Sequence, residues 1–410
     1  MNVLNEKQLE VIKHHKYSCD NLSVLDVYMQ PFWIWLVKHV PANIAPNTIT
    51  IVGLIVNVVT ATILLSVNLN STDSAPRWCH FLCALGLFFY QSLDAIDGKH
   101  ARKIGMSSAL GEIFDHGCDA ISTIFISISI MTSLRLGMYP YLYLMMVFTA
   151  QSIFYIVHWR GYLTGRILFS KFSVTESQFL VMFGFMIATV FGDDIFLMDI
   201  FGFKLNYIFC IMTIAIEIYV IKDDICMIFF KGGIGKNGSS IANTSVLSPL
   251  VPATILFVSM CMINWKSQFS LYSNQPVLFT LIFGTSFIKI STNLIICNIS
   301  RFKVNFLDTS FLGPGFIIIN QYFNSPIPES YVICITLTYV WLDLLYYDYA
   351  LITEISQHLN IPVFTVPPKI KSNVKMNKSS QKFHQLPEFN SKNDNEKRND
   401  THRFNLQYNL

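Results

Sequence analysis

The chain has 410 residues, of which 52% are hydrophobic and only 13% charged, and its formal net charge is +3. Soluble globular chains carry about 25% charged residues, so this composition, with its 34 Phe and 18 Tyr, excludes an ordinary soluble domain and points to an all-α polytopic membrane protein. A charge of +3 gives no reason to expect nucleic acid as a partner. The nine cysteines, mostly inside apolar runs (Cys83, Cys210, Cys261, Cys297, Cys334), lack the spacings of a disulfide framework.

The first 20 residues, MNVLNEKQLEVIKHHKYSCD, are polar and mixed in charge. Without an apolar h-region no cleavable signal peptide is expected, and the first membrane helix has to act as the signal. The stretch VLDVYMQPFWIWLVKHV follows, and its Phe32, Trp33 and Trp35 suit the headgroup region. It reads as an interfacial helix, with a packed cytosolic element as the alternative. Residues 1–45 thus form an N-terminal cytosolic segment.

Residues 46–354 read as one transmembrane domain. A span needs roughly 20 mostly apolar residues, and ten stretches qualify, near 47–69, 79–98, 112–134, 140–159, 177–195, 206–229, 249–264, 276–298, 310–326 and 329–352. The seventh and ninth are short, and Gly313, Pro314 and Gly315 predict a broken or tilted ninth. With the N-terminus in the cytosol, the cytosolic loops hold Lys99, Arg102, Lys103, Arg160, Arg166, Lys171, Lys231, Lys236, Arg301 and Lys303, against Arg77, Arg135, Lys204 and Lys266 opposite. That asymmetry fits the positive-inside rule, and an even number of spans returns the C-terminus to the cytosol. The sequon Asn70-Ser71-Thr72 then falls on the lumenal side. Residues 367–410, rich in Lys, Asn and Ser, are expected to be a disordered cytosolic tail.

Several stretches imitate sites. Cys79, His80 and Cys83 have metal-ligand side chains but open an apolar helix, and core packing is the expected role. Gly233, Gly235 and Gly238 have dinucleotide-loop spacing, but no strand precedes them and Ser239 stands where a P-loop needs Lys. They read as a flexible loop, with a mobile cover over a site as the alternative. His158, beside Trp159 at the end of a span, reads as an interfacial structural residue.

SLDAIDGKHARKIGMSSALGEIFDHGCDA, from Ser92 to Ala120, is different. A central Asp costs about 2.5–3.5 kcal/mol even on insertion-based scales, so four of them should have partners. Asp94 and Asp97 share one helix face, and Asp115 and Asp119 share another. The first pair closes one candidate span and the second opens the next, with a loop of about a dozen residues between. All four carboxylates can therefore meet near the cytosolic surface. Without cations they would repel one another. Hard oxygen donors suit Mg²⁺ or Mn²⁺, and a bridging carboxylate allows two ions. Gly98, Ala101 and Gly111 leave room for a ligand, Arg102 offers a fork for phosphate, and Lys99 adds positive charge. His116 reads equally well as a proton acceptor for a hydroxyl or as a hydrogen-bond partner of its aspartate neighbours.

The run D-x-x-D-G-x-x-A-R-x8-G-x3-D-x3-D, from Asp94 through Gly98, Ala101, Arg102, Gly111 and Asp115 to Asp119, resembles the signature of the CDP-alcohol phosphotransferase family at all eight specified positions. Over residues 8–365 the segments HKYSCD, PFW, APNTIT, GEIFDHGCD, GGIGKNGSSIANTSVLSP, DTSFLGP and NQYFNS are similar to the eukaryotic choline/ethanolamine phosphotransferases, and SLDAIDGK and FDHGCD to the choline and dual-specificity branch. That resemblance implies transfer of phosphocholine or phosphoethanolamine from CDP-choline or CDP-ethanolamine to 1,2-diacylglycerol, releasing CMP. It implies a Mg²⁺- or Mn²⁺-dependent enzyme of endoplasmic reticulum or Golgi membranes, with ten spans and a homodimer. It makes Asp94, Asp97, Asp115 and Asp119 metal ligands, Arg102 a nucleotide-phosphate contact, His116 the proton acceptor, and Asn47 of APN a contact to the headgroup or ribose. His100 and Lys103 depart from the Gln and Arg common in that branch, which leaves fine donor contacts open. The competing readings are a relative using a CDP-diacylglycerol donor, a membrane cation transporter, and a non-catalytic protein retaining the signature.

Overall fold

The computed structural model describes residues 3–15, 19–21, 23–169, 172–267 and 270–368. Among them the helices are α1 (Glu6–Lys13), α2 (Val24–His39), α3 (Pro46–Val67), α4 (Arg77–Ile104), α5 (Ala109–Ser133), α6 (Pro140–Thr164), α7 (Val174–Phe191), α8 (Leu205–Cys226), α9 (Leu250–Lys266), the single-turn α10 (Leu271–Asn274), α11 (Pro276–Ser300), α12 (Leu312–Tyr322) and α13 (Glu329–Leu359). Strands are confined to two short ribbons: β1 (Cys19–Asn21) pairs in parallel with β2 (Ile167–Phe169), and β3 (Asp199–Ile200) antiparallel with β4 (Phe203–Lys204). The protein is all-α and polytopic. Its contacts divide it into Met1–Val366 and Pro367–Leu410, and all but the first two residues of the second unit, where the disordered tail is expected, lie outside the described residues.

Eight of these helices, α3 to α8, α11 and α13, are long and apolar enough to cross a membrane. The expected seventh and ninth spans, α9 and α12, have 17 and 11 residues. At 1.5 Å per residue α12 rises about 16 Å, roughly half of a hydrocarbon core. Its shortness has a cause in the residues before it. Lys289, halfway along α11 with its side chain 4% exposed, donates to Asp343 Oδ2 of α13 and to Thr309 Oγ1, both at 2.5 Å, and lies 3.3 Å from Asp308 Oδ1. A buried ammonium needs such partners. Meeting them draws Asp308 and the 3-10 turn Thr309–Phe311 in beside the midpoints of two long helices, so α12 starts part-way along the bundle. The expected break is therefore at its start, with Gly313 and Pro314 in its first turn.

α11 is apolar on every side and buried along its length between α5, α6 and α13, as a helix in the middle of a bundle must be. α3 packs closely on α4 and α5, and α5 on α11, through small residues. A Cβ on Gly86 would meet Thr60 Oγ1 at 2.4 Å, and one on Gly284 would meet Ile124 Cδ1 at 2.4 Å. His80 belongs to this packing: Nδ1 lies 2.8 Å from Ser133 Oγ and Nε2 3.6 Å from Asp193, while Cys83 Sγ donates to Thr60 O at 3.4 Å.

The glycine loop is pinned, which corrects its reading as a flexible loop or mobile cover. Ile234 N–H donates to Leu163 O at 3.0 Å, Ile241 N–H to Tyr162 O at 3.2 Å, and Gly233 N–H to Gly238 O at 2.8 Å. Trp159 Nε1 donates to Val246 O and Tyr155 Oη to Pro249 O, each at 2.7 Å. A Cβ on Gly233 would stand 2.2 Å from Ser239 O, and one on Gly137 would stand 2.0 Å from Asn70 O. The glycines are there because backbone passes backbone. Gly137→Ala and Gly233→Ala should each destabilise the protein by about 1–3 kcal/mol, read as a lower melting temperature of purified protein in detergent. Unchanged melting in both would contradict this packing.

Candidate active site

α4 and α5 build the site as a helical hairpin. α4 continues six residues past Gly98, because Ala101, Arg102 and Lys103 are good helix formers, and stops at Gly105, whose φ of 72° is the left-handed cap that glycine accepts most readily. α5 restarts at Ala109, with Ser108 Oγ accepting from Gly111 N–H at 3.2 Å. The connection is therefore Gly105–Ser108, not the expected dozen residues, and it places the acidic pairs side by side inside two continuous helices.

Two sets of side chains have ligand atoms within 4.8 Å of one another: Asp94, Asp97 and Asp115, and Asp115, His116 and Asp119. Asp115 belongs to both. Neighbours steer the other oxygens. Asp97, 6% exposed, accepts from Thr50 Oγ1 at 2.5 Å and from Gly98 N–H. Asp119 Oδ1 accepts from Tyr90 Oη at 2.5 Å. Asp115 Oδ1 is buried with no hydrogen-bond partner among the described residues. A buried acceptor without a donor in a cluster of like charges is suited to a cation, and an all-oxygen carboxylate set suits a hard divalent ion. These residues fit such an ion.

His116 is 7% exposed, with Nδ1 3.8 Å from Asp119 Oδ2. Its ring meets His158 of α6 edge-on, centroids 5.2 Å apart. His158 Nδ1 donates to Phe154 O at 2.8 Å, a bond that fixes the tautomer and leaves its buried Nε2 as a lone pair. His158 is thus buried behind His116, packed against its ring.

Asp94, Asp97, Asp115, Asp119, His116, Asn47, Gly98, Lys99 and Arg102 all line one cavity of about 1040 Å³. Asn47 Oδ1 lies where a Cβ on Gly111 would touch it at 3.7 Å. His100 and Lys103 turn away: His100 Nε2 donates to Ile44 O at 2.9 Å, and Lys103 Nζ to Val37 O at 2.7 Å and Val40 O at 3.1 Å. Their departure from the common pattern is taken up by backbone packing around the end of α2.

The cavity also has walls the sequence reading missed. α2 and α7 supply Asp26, Gln30, Trp33, Thr175 and Gln178, and His15 and Ile361–Val363 close another side. His15 Nε2 lies 2.9 Å from Glu112 Oε2. α2 is held in place by Glu176, whose carboxylate accepts from Ser23 Oγ at 2.7 Å and Leu25 N–H at 2.8 Å at the start of α2, and from Ser173 at the start of α7. Two of the missed partners were within reach of helix spacing. Tyr90 stands four residues before Asp94, and Thr50 three after Asn47.

Comparison with known proteins agrees with this geometry. Residues 43–221 match the family model for CDP-alcohol phosphatidyltransferase. The chain is 40% identical to cholinephosphotransferase 1 of Xenopus laevis over 365 residues, 88% of this chain and 90% of the relative. It is 38% identical to cholinephosphotransferase 1 of Homo sapiens over 371 residues, 88% and 89% of the two chains. It is 30% identical to an uncharacterized CDP-alcohol phosphatidyltransferase class-I family protein of Dictyostelium discoideum over 370 residues. An acidic cluster on the C-terminal half of α4 and the first turns of α5, inside a membrane domain aligned with these relatives along most of its length, makes this chain a member of the CDP-alcohol phosphatidyltransferase family and a CDP-alcohol phosphotransferase.

Proposed function

We propose that the protein transfers phosphocholine or phosphoethanolamine from CDP-choline or CDP-ethanolamine to 1,2-diacylglycerol, giving the phospholipid and CMP. The observation that carries this reading is the convergence of Asp94, Asp97, Asp115 and Asp119 beside His116 at one large cavity, in a chain 38–40% identical to several cholinephosphotransferases. The four aspartates are the metal ligands, with Asp115 shared between two sites for Mg²⁺ or Mn²⁺. When bound, the ions would neutralise the donor diphosphate and the charge of the departing CMP.

The chain's own residues do the rest. Arg102 forks onto the nucleotide phosphates and Lys99 adds charge there. Gly98 leaves room for the donor, and Asn47 reaches its ribose or headgroup. His116 takes the proton from the diacylglycerol hydroxyl, aided by Asp119 at 3.8 Å. The oxygen then attacks the phosphorus that bears the alcohol headgroup, forming one P–O bond as the bond to CMP breaks. Positioning and electrostatics supply most of the acceleration. In this reading residues 46–354 are the catalytic membrane domain, preceded by a cytosolic segment with the interfacial helix and followed by the tail. The site faces the cytosol of endoplasmic reticulum or Golgi membranes, the lysine and arginine bias of the loops supports that orientation, and the enzyme works as a homodimer.

Asp97→Ala and Asp115→Ala should abolish CMP release from CDP-choline while the protein still inserts, and substantial turnover in either would remove them as ligands. His116→Ala should lower kcat by about 10²–10⁴ with a smaller change in KM. A drop below tenfold would exclude it as the base. Mn²⁺ should raise the melting temperature of the metal-stripped wild type and not of Asp115→Asn, and an equal rise in both would move the ion elsewhere.

A further inference from the structure

The wall of the cavity formed by α2 contains a seat for a cation. Trp33 is 2% exposed, lines the cavity, and carries the Lys99 ammonium over its ring with Nζ 5.1 Å from the centroid. Asp26, two turns earlier on the same helix, lines the same wall. Its Oδ1 accepts from Thr175 Oγ1 of α7 at 2.6 Å, which fixes the carboxylate, and its charge acts on Lys99. Asp26 belongs to neither group of clustered metal-ligating side chains. An aromatic face and a carboxylate on one wall of the same cavity, both acting on one ammonium, form an arrangement that attracts organic cations. That Lys99 already occupies it demonstrates that a positive group fits.

Lys99 is held there loosely. Among the described residues its ammonium makes one hydrogen bond, to Ala95 O at 2.7 Å within its own helix, and its stem is long and flexible. A donor diphosphate among the four aspartates would draw Lys99 off the ring toward its phosphates and leave the face of Trp33 open. We propose that Trp33 and Asp26 then receive the substituted ammonium group of the CDP-alcohol, so that Lys99 holds the place of the substrate's cation until the diphosphate arrives. This rests on the CDP-alcohol reading of the site and adds to it the residues that recognise the headgroup. It also explains why α2 is fixed at both ends, by Glu176 at its start and Lys103 at its finish: a recognition wall has to be rigid.

The test compares CDP-choline with its neutral isostere, CDP-3,3-dimethylbutanol, on the purified full chain. Wild type should favour the cationic donor in kcat/KM by about tenfold or more, mainly through KM. Asp26→Asn and Trp33→Leu should each reduce that preference to about threefold or less, and Trp33→Phe should restore much of it. The preference is a ratio taken within one preparation, so a variant that folds poorly still reports it. Preference unchanged in Asp26→Asn and Trp33→Leu overturns the assignment. Binding of tetramethylammonium, followed as thermal stabilisation, tests the seat without turnover. It should stabilise wild type and neither variant, and equal or absent stabilisation in all three overturns the seat. A wild type that binds tetramethylammonium but releases no CMP from either CDP-alcohol would leave the seat standing and refute the proposed reaction.

Discussion

Carboxylates gathered within a few ångströms of one another, inside helices that cross a membrane, repel strongly unless cations come between them, and the architecture around α4 and α5 follows from that constraint. Asp94, Asp97, Asp115 and Asp119 are kept together by two continuous helices joined through a four-residue connection. Hydroxyls orient two of the carboxylates: Thr50 donates to Asp97 and Tyr90 to Asp119. The buried oxygen of Asp115 is left for a ligand the protein does not itself provide. Such an arrangement is poor as a stabilising device and makes sense as a preorganised site.

The rest of the bundle fixes this hairpin. α3 packs against both of its helices, with Asn57 Nδ2 donating to Ser122 Oγ of α5 at 2.8 Å. α11 runs buried behind α5, and the Lys289–Asp343–Asp308 group ties α11, α13 and the start of α12 together. α2 is tied across the cavity's other wall through Glu176 and Lys103. Strain or slack in any of these ties would reach the aspartates through rigid helices.

The part of the site that lies on helix spacing was legible in the sequence. Pairs at i,i+3 and i,i+4 have to share a face, and the four aspartates, His116, Gly98, Lys99, Arg102 and Asn47 do line one cavity. What depended on tertiary packing was not legible. The Gly98–Gly111 stretch reads as a loop because it is polar and holds glycines, yet α4 runs on to Ile104. Residues 310–326 read as a short span, broken or tilted at Gly313–Gly315, but where the helix starts depends on the pairing of Lys289 with Asp308 and Asp343. Trp33 and Trp35 look alike as headgroup aromatics. Helix α2 turns the first inward, 2% exposed, and leaves the second 55% exposed. The contact of His158 with His116 depends on how α6 lies against α5, which spacing does not show. Composition reports that a side chain is apolar or titratable, and only the packing of helices decides which neighbour it meets.

The most direct test of this account is anomalous diffraction from crystals of the protein grown with Mn²⁺. The account predicts two manganese peaks between α4 and α5, both touching Asp115, with Asp94 and Asp97 completing one and Asp119 the other. Peaks elsewhere on the molecule, or carboxylates turned away from a common centre with no ion between them, would contradict it.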